Sequence, residues 1–278
     1  MVYPSKINLG DFIGVTATSG GLEREEGLNK LNSAINNFEK MGYKIIETNN
    51  VRACEKLVSS SGKVRAKEFL ELWKDEKVKY IICARGGEFL MEMLPYLNKE
   101  EILKASPKWV QGFSDISLLL FYLTTNFNIA TIHANNFSAY GMKDLDISLT
   151  QTIDFVSNLN EKFVQENFEK YEVYSINREE GKELEPFNLT EDVVYKNLYG
   201  ENEEIFEGRL IGGCIDVLKT ICGTNIDNTI NFCNQFDEGM IWYLENCEMS
   251  VADLYRALWQ MKNAGWFKNS KAFLARNS

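Results

Sequence analysis

Four short stretches carry residue types able to do chemistry at useful positions. "WVQGFSDISLLL" (109–120) places Ser114 after Gly112 and ahead of a solid apolar run. A serine at a strand-to-helix turn exposes its hydroxyl beside free backbone N–H groups that can stabilise an oxyanion. The same residue types suit a plain helix N-cap, so both readings stand on these residues alone. The pattern is not the G-x-S-x-G elbow, because Ile116 occupies the second glycine position. "ARGGE" (84–88) puts Gly86 and Gly87 directly after an apolar run, where backbone amides can face a ligand. Arg85 beside them can pair with a substrate carboxylate or with a structural acid such as Glu88. "WYLENCE" (242–248) ends an apolar run with Glu245, a carboxylate placed to orient a base or simply to meet solvent. "TIHANN" (131–136) holds His133, the single histidine of the chain, nineteen residues after Ser114.

The elements that must position these stretches follow from hydrophobic periodicity. Strands are expected at 12–19, 43–49, 78–87, over 108–115 and over 129–136. Helices are expected between them, starting at Glu25, after the serines 59–61 and at Ile116, with a short one over 89–97 stopped by Pro95. Strands alternating with helices imply a parallel sheet covered on both faces. Ligands bind at the carboxyl ends of such strands. Four loops arrive there: 17–21, 85–88, 112–115 and 133–137. Residues 151–205 are polar, charge-rich and weakly periodic, and read as a linker or insert with short strands. A second domain is expected over 206–278, after a first over 1–150. It has a glycine turn and apolar helix in "GRLIGGCIDVLKTICGT", the strand at 239–248, a helix capped by Ser250 and ended by Gly265, and a strand beginning at "KAFLA".

Bulk properties narrow the function classes. The chain has 278 residues, 45% of them hydrophobic, and a formal net charge of -10 with no basic block. Nucleic acid and anionic membrane are therefore poor partners, since both require clustered Lys and Arg. Six cysteines sit far apart with no C-x-x-C pair, so neither a metal nor a cofactor is expected. The thiols read as reduced, and no stretch approaches the roughly 18 apolar residues of a membrane span. A cytoplasmic, soluble protein is expected. A dinucleotide site is not, because "TATSGG" lacks G-x-G-x-x-G.

Six segments, taken together and in order, resemble one family. "IGVTATS", "ARGGEF", "GFSDIS", "TIHANN", "GGCIDVLKTICGT" and "WYLENCEMSVADLYRALWQMKNAGWF" are similar to the signature segments of the serine peptidases comprising LD-carboxypeptidases of murein recycling and microcin C immunity peptidases. The resemblance implies a flavodoxin-like N-terminal domain, a smaller C-terminal α/β domain and a site between them. It implies a Ser–Glu–His mechanism with Ser114 as nucleophile and Glu245 as acid. Backbone N–H groups at Gly86, Gly87 and Asp115 would form the oxyanion hole. Its members cut an amide bond next to a free carboxylate, without a cofactor, and are often dimeric. The substrate would be a small murein peptide or a peptidyl-nucleotide, with the wording of the last segment leaning to the immunity branch.

The departures are equally specific. The family's triad histidine lies beyond the glutamate, and no histidine follows Glu245 here. His133 matches a different family position and is not assigned as the base. Cys214 replaces an Asn, and Asn135 replaces a Gly or Pro. The expectation is a member lacking its last portion, with an incomplete C-terminal domain and impaired activity, or an inactive homologue that at most binds a peptide.

Overall fold

The computed structural model describes residues 1–159, 162–198, 200 and 204–277. Apolar strands and amphipathic helices alternate through the first half as β1 (Phe12–Thr16), α1 (Glu25–Lys40), β2 (Lys44–Glu47), α2 (Gly62–Lys74), β3 (Val78–Cys83), α3 (Lys99–Lys104), β4 (Trp109–Gly112), α4 (Ser117–Phe127), β5 (Ile132–His133) and α5 (Ile147–Ser157). All five strands pair in parallel in the order β2-β1-β3-β4-β5. This is the flavodoxin-like arrangement, and its switch point lies between β1 and β3. The sheet is covered on both faces by separate apolar clusters, one containing Leu31, Phe38 and Tyr140, the other Phe69, Trp73 and α4.

A two-stranded antiparallel hairpin follows, β6 (Lys170–Glu172) and β7 (Leu189–Asp192). The second half builds β8 (Arg209–Cys214), α6 (Ile215–Leu218), α7 (Thr229–Cys233), β9 (Met240–Asn246), α8 (Val251–Asn263) and β10 (Ser270–Asn277). Its sheet is also parallel, in the order β10-β9-β8. The molecule is thus α/β throughout: a five-stranded parallel N-terminal sheet joined to a smaller C-terminal parallel sheet.

α4 joins the halves. Ten of its eleven residues are buried, all but Asn126. A helix apolar all round has structure on every side. One side meets β4, the other meets β8, α6 and α7. Phe121 stacks on Trp266 at 5.1 Å, and Trp266 stacks on Trp242 of β9 at 5.9 Å. The aromatic stack ties α4 to the second sheet.

Four expectations are corrected. The stretch 89–97 forms two 3-10 turns, Leu90–Glu92 and Leu94–Tyr96, rather than a short helix. Pro95 lies inside the second, where it denies a backbone donor to any longer helix. Only Ile132 and His133 of the stretch 129–136 pair as a strand, and the residues after them bend into the rim. The glycines of "LIGGC" are within strand β8 rather than in a turn. The polar stretch from 151 also begins inside α5, whose Leu149, Ile153 and Val156 enter the N-terminal core.

Candidate active site

Ser114 follows β4 directly and adopts φ 62°. A left-handed backbone at a non-glycine residue is strained, and such residues persist only where the surroundings fix them. Here three loops do so. Asn136 Oδ1 accepts a hydrogen bond from Phe113 N at 3.2 Å. A Cβ on Gly112 would lie 2.5 Å from Ile116 Cγ2 and 2.8 Å from Asn136 Oδ1, so only glycine lets the strand end this close to the helix start. Asp115 is buried, and its Oδ2 accepts from Ser19 Oγ and from Leu90 N at 2.9 Å. Burial pushes the Asp115 carboxyl up, against the hydrogen bonds from Ser19 and Leu90 and the charge of Arg65. Arg65, itself fully buried, donates to Thr18 O and Phe89 O at 3.0 Å each. The loops after β1 and β3, which flank the switch point, are therefore clamped to the turn that carries Ser114.

Gly86 faces the serine. A Cβ there would sit 3.0 Å from both Ser114 Cβ and Oγ. Gly87 packs on the first loop, where a Cβ would overlap Ser19 Oγ at 2.3 Å, and Gly20 N donates to Gly86 O at 3.2 Å. Arg85 is exposed and runs beside Gly20, with Nε 3.4 Å from the position a Cβ would take there. The structure thus brings Ser114, Asp115, Gly86, Gly87 and Arg85 to one rim. Ser114 Oγ makes no hydrogen bond among the described residues.

Glu245 comes from the C-terminal sheet, near the end of β9 and in register with Cys214 of β8. Its Oε1 lies 3.2 Å from His133 Nε2, and both side chains are 19% exposed. His133 Nδ1 lies 3.4 Å from Ser117 Oγ. The ring packs beside Tyr243 at 5.3 Å. Burial, and then the charge of Glu245, push the Tyr243 hydroxyl pKa up, which keeps it protonated. Sequence reasoning placed His133 on the rim but missed its partner, since Glu245 is 112 positions away on another sheet. It also missed Ser117, whose approach to the second sheet depends on Gly213: a Cβ there would lie 2.8 Å from Ser117 Cβ. Gly213 has φ 135°.

A cavity of about 350 Å³ opens between the halves, lined by Glu88, Met91 and Asp115 from one and by Asp216, Lys219 and Glu248 among others from the second. Burial, then Glu248 and Asp115, push the Glu88 carboxyl up. Five of its eleven lining residues are acidic, with Lys219 as the one cation.

Beside Glu245 two cysteines approach. Cys214 Sγ is 3.9 Å from Cys247 Sγ and 3.4 Å from Asp216 Oδ2. Asp216 also accepts from the backbone N–H groups of Cys247, Glu248 and Met249 at 3.0–3.2 Å. It fixes the turn that follows β9.

Comparison with known proteins identifies the family of both halves. The LD-carboxypeptidase N-terminal domain matches residues 13–134, and the LD-carboxypeptidase C-terminal domain matches residues 207–276. The C-terminal domain expected to be incomplete is thus present as a recognisable family domain. The chain is 26% identical over 262 residues to the microcin C7 self-immunity protein MccF of Escherichia coli, covering 91% of this chain and 72% of that protein. It is 24% identical over 272 residues to the probable murein peptide carboxypeptidase of Bacillus subtilis, covering 98% and 73%. In fold it matches the wild-type apo structure of MccF with a TM-score of 0.82 at 24% identity, over 100% of this chain and 81% of the other. The MccF-like protein from Bacillus anthracis matches at 0.75 and 22% identity, over 100% and 81%. A strained serine facing a double glycine on a flavodoxin-like sheet, a glutamate contributed by a second parallel sheet, and both domain matches in order lead to one conclusion: the chain belongs to the LD-carboxypeptidase family of serine peptidases.

Proposed function

We propose that this protein is a serine-type carboxypeptidase-like hydrolase that cuts an amide bond next to a free carboxylate. Ser114 is the nucleophile and Glu245 the triad acid. The backbone N–H groups of Gly86, Gly87 and Asp115 receive the oxyanion, and Arg85 meets the substrate carboxylate. The observation that carries this reading is the left-handed Ser114 against Gly86. A nucleophile raised on a strained turn beside a side-chain-free backbone gives a carbonyl carbon an approach and its oxygen a set of donors. Attack forms the Ser114 Oγ–carbonyl bond as the hydroxyl proton passes to solvent water, because the chain's one histidine is held by Ser117 and Glu245. Collapse then expels the amine, and water releases the acyl group.

The substrate is a small peptide or a peptidyl-nucleotide. MccF has been solved with glutamyl sulfamoyl guanosine and with aspartyl sulfamoyl adenosine, which supports the second class. The cleft between the two halves supplies the space. No helix among the described residues is long and apolar enough to cross a membrane, and a cytoplasmic setting fits the free thiols. A homodimer is part of the proposal: Val251, Tyr255 and Trp259 form an exposed stripe on α8 at helical spacing.

A specific observation favours a second reading, a peptide-binding homologue with little turnover. The single histidine sits beside Ser117 and Glu245, its Nδ1 3.4 Å from Ser117 Oγ and its Nε2 3.2 Å from Glu245 Oε1. A serine hydroxyl without a general base is a poor nucleophile near neutral pH. One experiment separates the two. The purified chain is treated with a fluorophosphonate probe and assayed on an LD-tetrapeptide and on an aminoacyl-sulfamoyl adenylate. Labelling lost in Ser114→Ala, with release of D-Ala or of the nucleotide, supports the hydrolase. No labelling and no turnover, with saturable binding of either ligand, selects the binding protein.

A further inference from the structure

Three ligand-type atoms converge outside the proposed nucleophile: Cys214 Sγ, Cys247 Sγ and a carboxylate oxygen of Glu245, all within 4.8 Å of one another. The two sulfurs are 3.9 Å apart. In a tetrahedral zinc site with Zn–S near 2.3 Å, two thiolates lie about 3.8 Å apart. The thiol pair is therefore already at the spacing a bound ion would impose. The Glu245 oxygen lies within 4.8 Å of both sulfurs, against about 3.5 Å in such a site, so a small side-chain shift brings it to the usual oxygen distance.

We propose that Cys214, Cys247 and Glu245 form a binding site for a soft divalent cation of the zinc or cadmium type. Thiolates select such ions over magnesium or calcium, which take all-oxygen shells. Three features make the cluster a built site. Cys214 is buried at the end of β8, held by a ladder that places it opposite Glu245. Cys247 sits on a turn whose three successive N–H groups are bound by Asp216, so its position is set rather than mobile. Glu245 is only 19% exposed, with His133 Nε2 3.2 Å from its Oε1, so its carboxylate has little room to swing away. Negative groups dominate the surroundings, with Asp216 and Glu248 beside the ligands. Three protein ligands leave a fourth position for water. Binding releases the two thiol protons to solvent and involves no redox change.

A cation held there occupies the carboxylate that Glu245 shares with His133. The site is thereby a switch on the catalytic acid, set by metal availability. This consequence rests on the hydrolase reading. The binding itself does not, and the two are measured separately.

The reduced, metal-free 278-residue protein is titrated with Cd2+, and uptake is followed by the ultraviolet thiolate-to-metal charge-transfer band. Zn2+ affinity is taken from competition with a chromophoric chelator. One ion per chain is expected. Cys247→Ser, at an exposed position that should leave the fold intact, is expected to lose the band and at least about 100-fold in affinity. Asp216→Asn should weaken binding by about 10–100-fold through the turn it holds. Cys54→Ser should change neither. Uptake that survives in Cys247→Ser, or a reduced wild-type chain that takes up no Cd2+, overturns the proposal. So does a Cys214–Cys247 disulfide that forms in preference to metal uptake, read as a 2 Da mass loss. If binding is confirmed but Zn2+ leaves Ser114 labelling unchanged, the site stands and its coupling to catalysis falls.

Discussion

Ser114 and Ser117 lie one helical turn apart at the start of one helix, and the fold gives each half of what a catalytic serine needs. Ser114 has the backbone: a left-handed turn, partial exposure and a glycine in front of its hydroxyl. Ser117 has the side-chain partners: His133 at 3.4 Å, itself 3.2 Å from Glu245. Yet Ser117 is fully buried, pressed against Gly213 of β8. It has the connectivity of a Ser–His–Glu chain without access to a substrate. The comparison teaches that a row of neighbouring Ser, His and Glu side chains is not an active site. The strained, reachable oxygen is the better marker of the nucleophile, because strain must be maintained by the rest of the fold.

The strongest way to break this assignment is to exchange the two serines' fates. Ser114→Ala should abolish fluorophosphonate labelling and lower hydrolysis by several orders of magnitude, while the protein stays folded by circular dichroism. Labelling that persists in Ser114→Ala and vanishes in Ser117→Ala would reverse the roles. Next in size is Glu245→Gln, which removes the charge facing His133. Activity is expected to fall by about 10²–10⁴-fold, the range seen when a triad acid is lost, with little loss of peptide binding. Equal losses in binding and rate would reduce Glu245 to a structural residue.

Smaller effects test the packing that separates the serines. Gly213→Ala puts a methyl 2.8 Å from Ser117 Cβ at a backbone angle that L residues rarely adopt. A loss of about 1–3 kcal/mol in denaturant unfolding is expected. Unchanged stability would mean that β8 does not press on the helix. The smallest effect belongs to Ser117→Ala. It removes one hydrogen bond to His133, worth about 1 kcal/mol, and labelling of Ser114 should be unchanged.

Some of this was legible in the sequence for a plain reason. The alternation of apolar runs and helical spacing is a local signal, and local signals survive in one dimension. It implied the parallel α/β sheet and put the loops carrying Ser114, Gly86 and His133 on one rim. The stretch around Pro95 misled because an apolar run can be packed as turns as easily as helix when tertiary contacts hold it. The residues around His133 misled because a two-residue bridge suffices at a sheet edge.

The sequence by itself determined the fold class, the elbow serine as a candidate and the order of the family segments, since each depends on residues close together in the chain. Only the tertiary structure decided which partners meet. His133 and Glu245 come from different sheets. Cys214 and Cys247 are 33 positions apart, with no spacing that signals a metal site. Ser114 and Ser117 are the same residue type, and burial, backbone angle and side-chain partners separate them. Contacts between distant residues are fixed by how α4 packs between two sheets, and no period or motif along the chain encodes that packing.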